Sequence, residues 1–507
     1  MDLVPESQQR NATFFWWGIC ACVVLAIFLR SLPIGTRSFE VDEVYELCHL
    51  STDLFHIAKD SDGFPPTFRW FLSLYVLASG EEFSRFLCVF LGVITVVVCA
   101  VLGRKIGGDL IGFNTALLLS VSASQVAFGQ QIRAYTLYAL AIALVMLSGW
   151  MLAHKVSGRN WMFFIASAFL AMGSHYYSIY FLAIVWIFVL WNYPKKEILV
   201  YFGYAGLFAC LCIPWLVCLR VDLSAPLPPE WISNFDLKSL AYLYLTVVQG
   251  KFLGPSQSEL LEIPWQQGMI ALAPWAISGL TFAAILILGG IRKVGLPNLV
   301  WLLSMLLILP VVAGTIAMLI GSNFGSRYLA PLSVPLAIVI ACGMSWRGKS
   351  ISVIATYGLI ALNLLSVFNR SLNPRYDREN YRELISKMCE LDKEPAVIVL
   401  SHYVAPAIRR ELVTNLPFCS LGLGVTESDD WQTNLSAFLK KINNREFVFL
   451  VATSTQAADV NLKQRDKLTR ELDAKLIQRV SNSTDLFAIE TKKLRSTVIN
   501  SSFSRDR

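Results

Sequence analysis

The chain has 507 residues, of which 55% are hydrophobic and 16% charged, with a mean hydropathy of +0.54. Soluble domains average about 25% charged and about 45–50% apolar residues, so a water-soluble globular enzyme is excluded. The 14 Trp, 17 Tyr and 31 Phe exclude a disordered chain. The net charge of +7 is not gathered into a basic stripe with interleaved aromatics, which speaks against nucleic acid as a partner. It fits the Lys/Arg excess of cytoplasmic loops in a polytopic membrane protein.

In chain order, the first apolar run, 13–30, has no small-residue cleavage site behind it and is expected to be a retained anchor. About 20 apolar residues span the hydrocarbon, and further runs of that kind lie at 84–103, 109–128, 132–153, 198–219, 268–291, 297–320, 328–345 and 350–368. The stretch 161–191 is too long for one span and has basic residues at both ends, His154, Lys155 and Arg159 before it and Lys195 and Lys196 after it. It must go out and come back, turning at Gly173-Ser174-His175, which gives about eleven spans. Arg104-Lys105, Arg292-Lys293 and Arg347-Lys349 fall at alternate connections, which the charge rule assigns to the cytoplasm together with the N-terminus. The opposite side then receives two long loops, 31–83 and 220–267, and the tail. Segments 64–79 and 237–253 are too short and too charged to span and are expected to lie in the interface.

The tail changes composition abruptly. Segment 376–391 has helical periodicity, 396–401 and 447–452 read as short strands, and 456–476 reads as a polar helix. The expected organisation is a membrane module over 1–369 and a small α/β extracytoplasmic domain over 370–507. Most of the eleven Cys lie in apolar runs, where a thiol is a small hydrophobe. Cys389 and Cys419 in the tail could pair or could both simply be buried.

None of the expected spans has an interior Asp or Glu, whereas ion-coupled transporters need ionisable groups at the midplane. The acids crowd into the first outer loop instead. Most of them read as a solvated loop, but Asp42-Glu43 follows the first span closely within the apolar setting Phe39-Glu-Val-Asp-Glu-Val-Tyr45. A carboxylate desolvated near the membrane surface gains basicity and can serve as a general base. On the same side stand Arg133 in Gln130-Gln-Ile-Arg-Ala-Tyr135, His175 with Tyr176, and Arg327 in Gly325-Ser-Arg-Tyr-Leu-Ala-Pro331. Guanidiniums grip phosphate through paired charge-assisted hydrogen bonds, and at a membrane surface that phosphate suggests a lipid phosphate. No nucleotide-binding loop competes.

This order of motifs resembles the GT-C glycosyltransferases that use polyprenyl-phosphate sugars. It is most similar to the branch of protein O-mannosyltransferases, lipid A aminoarabinose transferases and rhizobial core-oligosaccharide transferases. The resemblance covers about residues 10–370, and the small outer domain suits bacterial members in an inner (plasma) membrane. It implies a GT-C fold and an inverting transfer with Asp42 as base and Glu43 as its neighbour. It further implies that Arg133, Tyr135, Arg327, Tyr328 and Lys59 hold the donor phosphate, and that Asp62, His175 and Tyr176 bind substrate. The implied partners are a polyprenyl-phosphate sugar, membrane lipid, and a glycan, lipid or protein acceptor. In Asp62-Gly63-Phe64-Pro65-Pro66 a Phe stands where the family has His; His56 or Lys59 would have to compensate. Asp42-Glu43 could ligate a divalent cation, although two adjacent carboxylates alone make a weak site. A flippase for lipid-linked sugars and a receptor or assembly scaffold are the rival readings.

Overall fold

A computed structural model describes residues 6–32, 37–51, 65–224, 235–256, 263–291, 295–320, 324–345, 350–373, 381–392, 395–399, 405–411, 418–420, 447–453, 475–481 and 484–490, with Ile34, Glu259, Tyr376, Phe438, Ile442 and Arg470 singly. The expected apolar runs are helical, and eight helices among the described residues are long and apolar enough to cross a membrane. The stretch 161–191 does double back, as helices Gly158–Ser174 and Ser178–Asn192. The turn falls at 175–177, slightly later than expected, where Ser178 N–H reaches His175 O at 3.0 Å. Both short interfacial segments are helices, Thr67–Ser79 and Leu237–Gln249.

The run at 109–128 is a correction. It is two helices, Asp109–Val121 and Ala123–Gly129, bent by 60° at Ser122. Irregular backbone at membrane depth survives only where protein satisfies it; Asn363 and Arg30 do so here, and Gln125 ties the second half to the bundle. Asn363 Oδ1 accepts the Ala123 N–H at 2.9 Å, and Gln125 donates to Ala330 O and Ser333 Oγ. Arg30, 1% exposed, donates to the carbonyls of Leu119 and Ser120 at the end of the first half. Its guanidinium lies at the negative pole of that helix. Gly92 and Gly129 leave it room, since a Cβ at either would sit within 3.0 Å of its side chain. The break therefore aims the chain toward Arg133. Elsewhere the bundle closes on small residues, as lipid-embedded helices do: a Cβ on Gly343 would collide with the backbone of Leu286, and one on Gly290 with Val339 O.

The tail forms a five-stranded mixed sheet, with β1 (Val397–Val399), β2 (Phe418–Ser420), β3 (Phe447–Thr453), β4 (Lys475–Ser481) and β5 (Thr484–Glu490) in the order β2-β1-β3-β5-β4. β1 runs parallel to β2 and β3, while β5 is antiparallel to β3 and β4. Residues Lys475 and Leu476 begin a strand, a correction to the helix expected over 456–476; most of that segment lies outside the described residues. Cys389 is a free thiol beside the domain core. That core also contains Val41 and Val44, contributed from the first outer loop more than 300 residues earlier, packed with Tyr381, Leu384, Met388 and Val451.

Candidate active site

The acids of the first outer loop that matter lie on one short helix, Val41–Cys48. A capping box starts it: Glu43 Oε2 accepts the Glu40 N–H at 2.8 Å while Glu40 reaches the Glu43 backbone. Helical spacing then sorts its side chains. Val41 and Val44 enter the outer-domain core, and Leu47 joins a cluster of Phe68, Leu72, Leu87 and Ile132 on the bundle. Glu43 and Glu46 are buried, and Asp42 is left with its side chain 24% exposed.

The three carboxylates do different things. Glu43 is fully buried; Arg85 donates Nε to its Oε1 at 3.0 Å and Nη2 to its Oε2 at 2.6 Å. Ile132 N–H reaches the same Oε1 at 2.9 Å, so with the Glu40 N–H both oxygens are engaged. Glu46 takes Arg69 Nε at 2.7 Å and Arg133 Nη1 at 3.0 Å. Asp42 has guanidiniums on both sides, Arg327 at 3.6 Å and Arg133 at 3.8 Å. Those distances are ion pairs longer than the about 2.7–3.2 Å of a formed hydrogen bond.

A second network holds the loop that carries Arg133. Gln130 donates to Leu29 O and accepts Arg370 Nε at 3.0 Å, and Gln131 donates to Glu40 Oε2 at 2.7 Å. Arg370 pairs with Glu40 at 3.5 Å.

Arg327 lines the open side, its side chain 41% exposed and its guanidinium over the Tyr328 ring. Tyr135 is 3% exposed, lies in the field of Arg327, Arg133 and Asp42, and its hydroxyl has no hydrogen-bond partner among the described residues. The buried His175 stacks on Tyr138 at 4.7 Å and approaches Tyr328 at 5.4 Å. Tyr177, rather than Tyr176, puts its ring against both His175 and Tyr328; Tyr176 is half-buried on the same turn. Lys59, Asp62, His56 and Phe64 lie outside the described residues.

Burial, then Arg327 and Arg133, lower the His175 pKa from 6.5 to about 3, so the ring is neutral at working pH. The unfolded chain binds a proton below about pH 6.5 that the folded site refuses, so this residue's share of stability falls as pH drops from 6.5 toward 3. Melting curves between pH 7 and 4 check this: His175→Gln should flatten the acid limb relative to the parent, and equal slopes would refute it.

Among the described residues no group of three metal-ligating side chains converges. The Asp42-Glu43 pair does not fit a divalent cation: Glu43's oxygens are spent on Arg85 and backbone N–H groups, and Asp42 stands between two positive charges.

Sequence reading singled out Asp42, Arg133, Tyr135, Arg327, Tyr328 and His175, and the fold gathers these into one cluster. It missed Glu46, Arg69, Arg85, Gln130, Gln131 and Arg370. Glu46 had a signal, standing four residues after Asp42 on one helix; the others gave none beyond being polar residues in apolar surroundings.

A bundle of helices long enough to cross a membrane, with its acid-bearing helix packed against a small C-terminal sheet, is a fold shared with solved membrane proteins. The chain is similar in structure to ArnT from Cupriavidus metallidurans in the apo state, with a TM-score of 0.56 at 12% identity, covering 95% of this chain and 99% of that one. ArnT from the same organism bound to undecaprenyl phosphate gives a TM-score of 0.50 at 12% identity, over 93% and 97% of the two chains. The archaeal oligosaccharyltransferase AglB from Archaeoglobus fulgidus matches with a TM-score of 0.46 at 11% identity, over 86% of this chain and 69% of that one. No family model matches the chain, and no curated protein does.

Proposed function

We propose that the protein is an integral-membrane inverting glycosyltransferase that moves a sugar from a polyprenyl-phosphate donor to an acceptor hydroxyl on the extracytoplasmic face. The observation that carries this reading is one partly exposed carboxylate, Asp42, set between two guanidiniums. Glu43 and Glu46 are locked by hydrogen bonds of 2.6–3.0 Å, while Asp42 is partly exposed, its guanidinium neighbours 3.6 and 3.8 Å away. Asp42 accepts the acceptor's proton as its oxygen attacks the anomeric carbon. The bond from that carbon to the phosphate oxygen breaks with its electron pair going to phosphate, and attack opposite the leaving group inverts the centre. Arg327, Arg133 and the Tyr135 hydroxyl face the phosphate and stabilise the charge growing on it. Neutral His175, packed among tyrosines, serves as an apolar wall of the donor site. The crystallised complex of ArnT with undecaprenyl phosphate supports this class of donor.

A flippase would share the phosphate contacts but leave the donor chemically intact. The deciding experiment reconstitutes the protein in liposomes with a panel of undecaprenyl-phosphate-linked pentoses and hexoses and envelope glycans or lipids as acceptors. Release of undecaprenyl phosphate with a glycosylated acceptor is expected; redistribution of intact donor alone would overturn the proposal. Arg327→Ala is the cleaner phosphate variant, because Arg133 also braces Glu46. A charge-assisted contact contributes about 1.5–3 kcal/mol, so undecaprenyl phosphate should bind about 10–100-fold more weakly. Unchanged affinity would remove Arg327 from the site.

A further inference from the structure

The Val41–Cys48 helix belongs by sequence to the membrane module and by packing to the outer domain. Val41 and Val44 are 3% and 2% exposed and sit in the outer-domain core with Tyr381, Leu384 and Met388. Ser38 Oγ accepts the Tyr381 N–H at 3.2 Å. Phe39, just before the helix, lies between two guanidiniums, Arg85 at 4.6 Å from the bundle and Arg410 at 4.8 Å from the outer domain. Arg410 also pairs with Glu81 on the bundle, three residues before Ser84 opens the helix that carries Arg85. Arg85 in turn holds Glu43, the residue next to Asp42. One chain of contacts thus runs from the C-terminal domain through Arg410, Phe39 and Arg85 to Glu43, the neighbour of Asp42.

We propose that the outer domain is a positioning element for the transfer step, setting where Asp42 stands, and that Arg410 and Phe39 are the positioning residues that couple it to the bundle. The inference rests on Asp42 being the base. Helix Val41–Cys48 spans eight residues, and helices of that length are not stable alone. Its pose must come from what it packs against, and Val41 and Val44 pack into the C-terminal domain. Cation–π contacts of this kind are individually weak, enough to hold a short helix in register without being needed for the fold. Arg410 lies at the surface with its side chain 29% exposed, so its removal leaves the two cores intact.

The test uses the full-length protein in liposomes, with undecaprenyl phosphate as the binding probe and its release from the linked-sugar panel as the rate. Arg410→Ala and Phe39→Leu should each lower kcat about tenfold while undecaprenyl phosphate affinity and acceptor KM stay within about twofold. Hydrogen exchange across 38–48 should speed up in both, and Arg410→Lys should recover part of the rate. An unchanged kcat, a loss confined to acceptor KM, or unchanged exchange in 38–48 would each overturn the proposal. Asp42→Asn, measured in parallel, separates the two readings. If that variant is inactive while Arg410→Ala and Phe39→Leu keep the parent kcat, the coupling fails and the base assignment stands. If Asp42→Asn keeps the parent rate, the base assignment fails first and takes the coupling with it.

Discussion

Asp42→Asn is expected to lower turnover by about 10²–10⁴-fold, the usual contribution of general-base help, or about 3–5 kcal/mol of barrier. The amide preserves shape and can still take a hydrogen bond from either guanidinium, so the helix should survive the change. Affinity for undecaprenyl phosphate should hold or rise slightly, because Arg327 and Arg133, which now face Asp42 at 3.6 and 3.8 Å, lose a competing anion. That opposite movement of rate and binding is the signature to look for. Turnover within about threefold of the parent would end the assignment.

The membrane bundle was legible because span length and loop charge are local properties of the chain. The short helices Thr67–Ser79 and Leu237–Gln249 and the turn within 161–191 followed from the same two rules. The bend at Ser122 was not legible, since Leu118–Ala123 holds neither Gly nor Pro. What stabilises it, Arg30, Asn363 and Ala330, comes from distant parts of the chain. The same reason explains the site. That Asp42 and Glu43 are acids beside a membrane could be read directly; that Glu43 is buried against Arg85 while Asp42 stays partly exposed could not. The distinction is made by Arg85, 42 positions from Glu43, and by the Ile132 N–H, 89 positions away. Likewise Val41 and Val44 read as ordinary apolar neighbours of acids, and only folding reveals that they complete the core of the tail domain. In the tail itself, 475–481 reads Lys-Leu-Ile-Gln-Arg-Val-Ser, too polar to announce a strand; it is the bulged edge partner of β5.

Glu43→Gln should separate architecture from catalysis from the other direction. The substitution keeps the volume but removes the charge that Arg85 was buried against, and breaking one side of a buried ion pair costs about 3–5 kcal/mol. Gln can still accept one backbone N–H through its single oxygen, so either Ile132 or Glu40 loses its partner, adding about 1–3 kcal/mol for an unsatisfied buried donor. Removing both charges as Glu43→Leu with Arg85→Leu should not restore the parent. Apolar replacement often matches a buried pair in stability, but here Arg85 also donates to Arg37 O and Ser38 O, at 3.0 and 2.8 Å. These groups anchor the entry to the Val41–Cys48 helix, and no leucine can satisfy them. Chemical denaturation in detergent should therefore rank the parent first and both variants several kcal/mol below it. A double variant as stable as the parent would mean that the pair serves only its own neutralisation, and that the acid-bearing helix is held by its apolar faces alone.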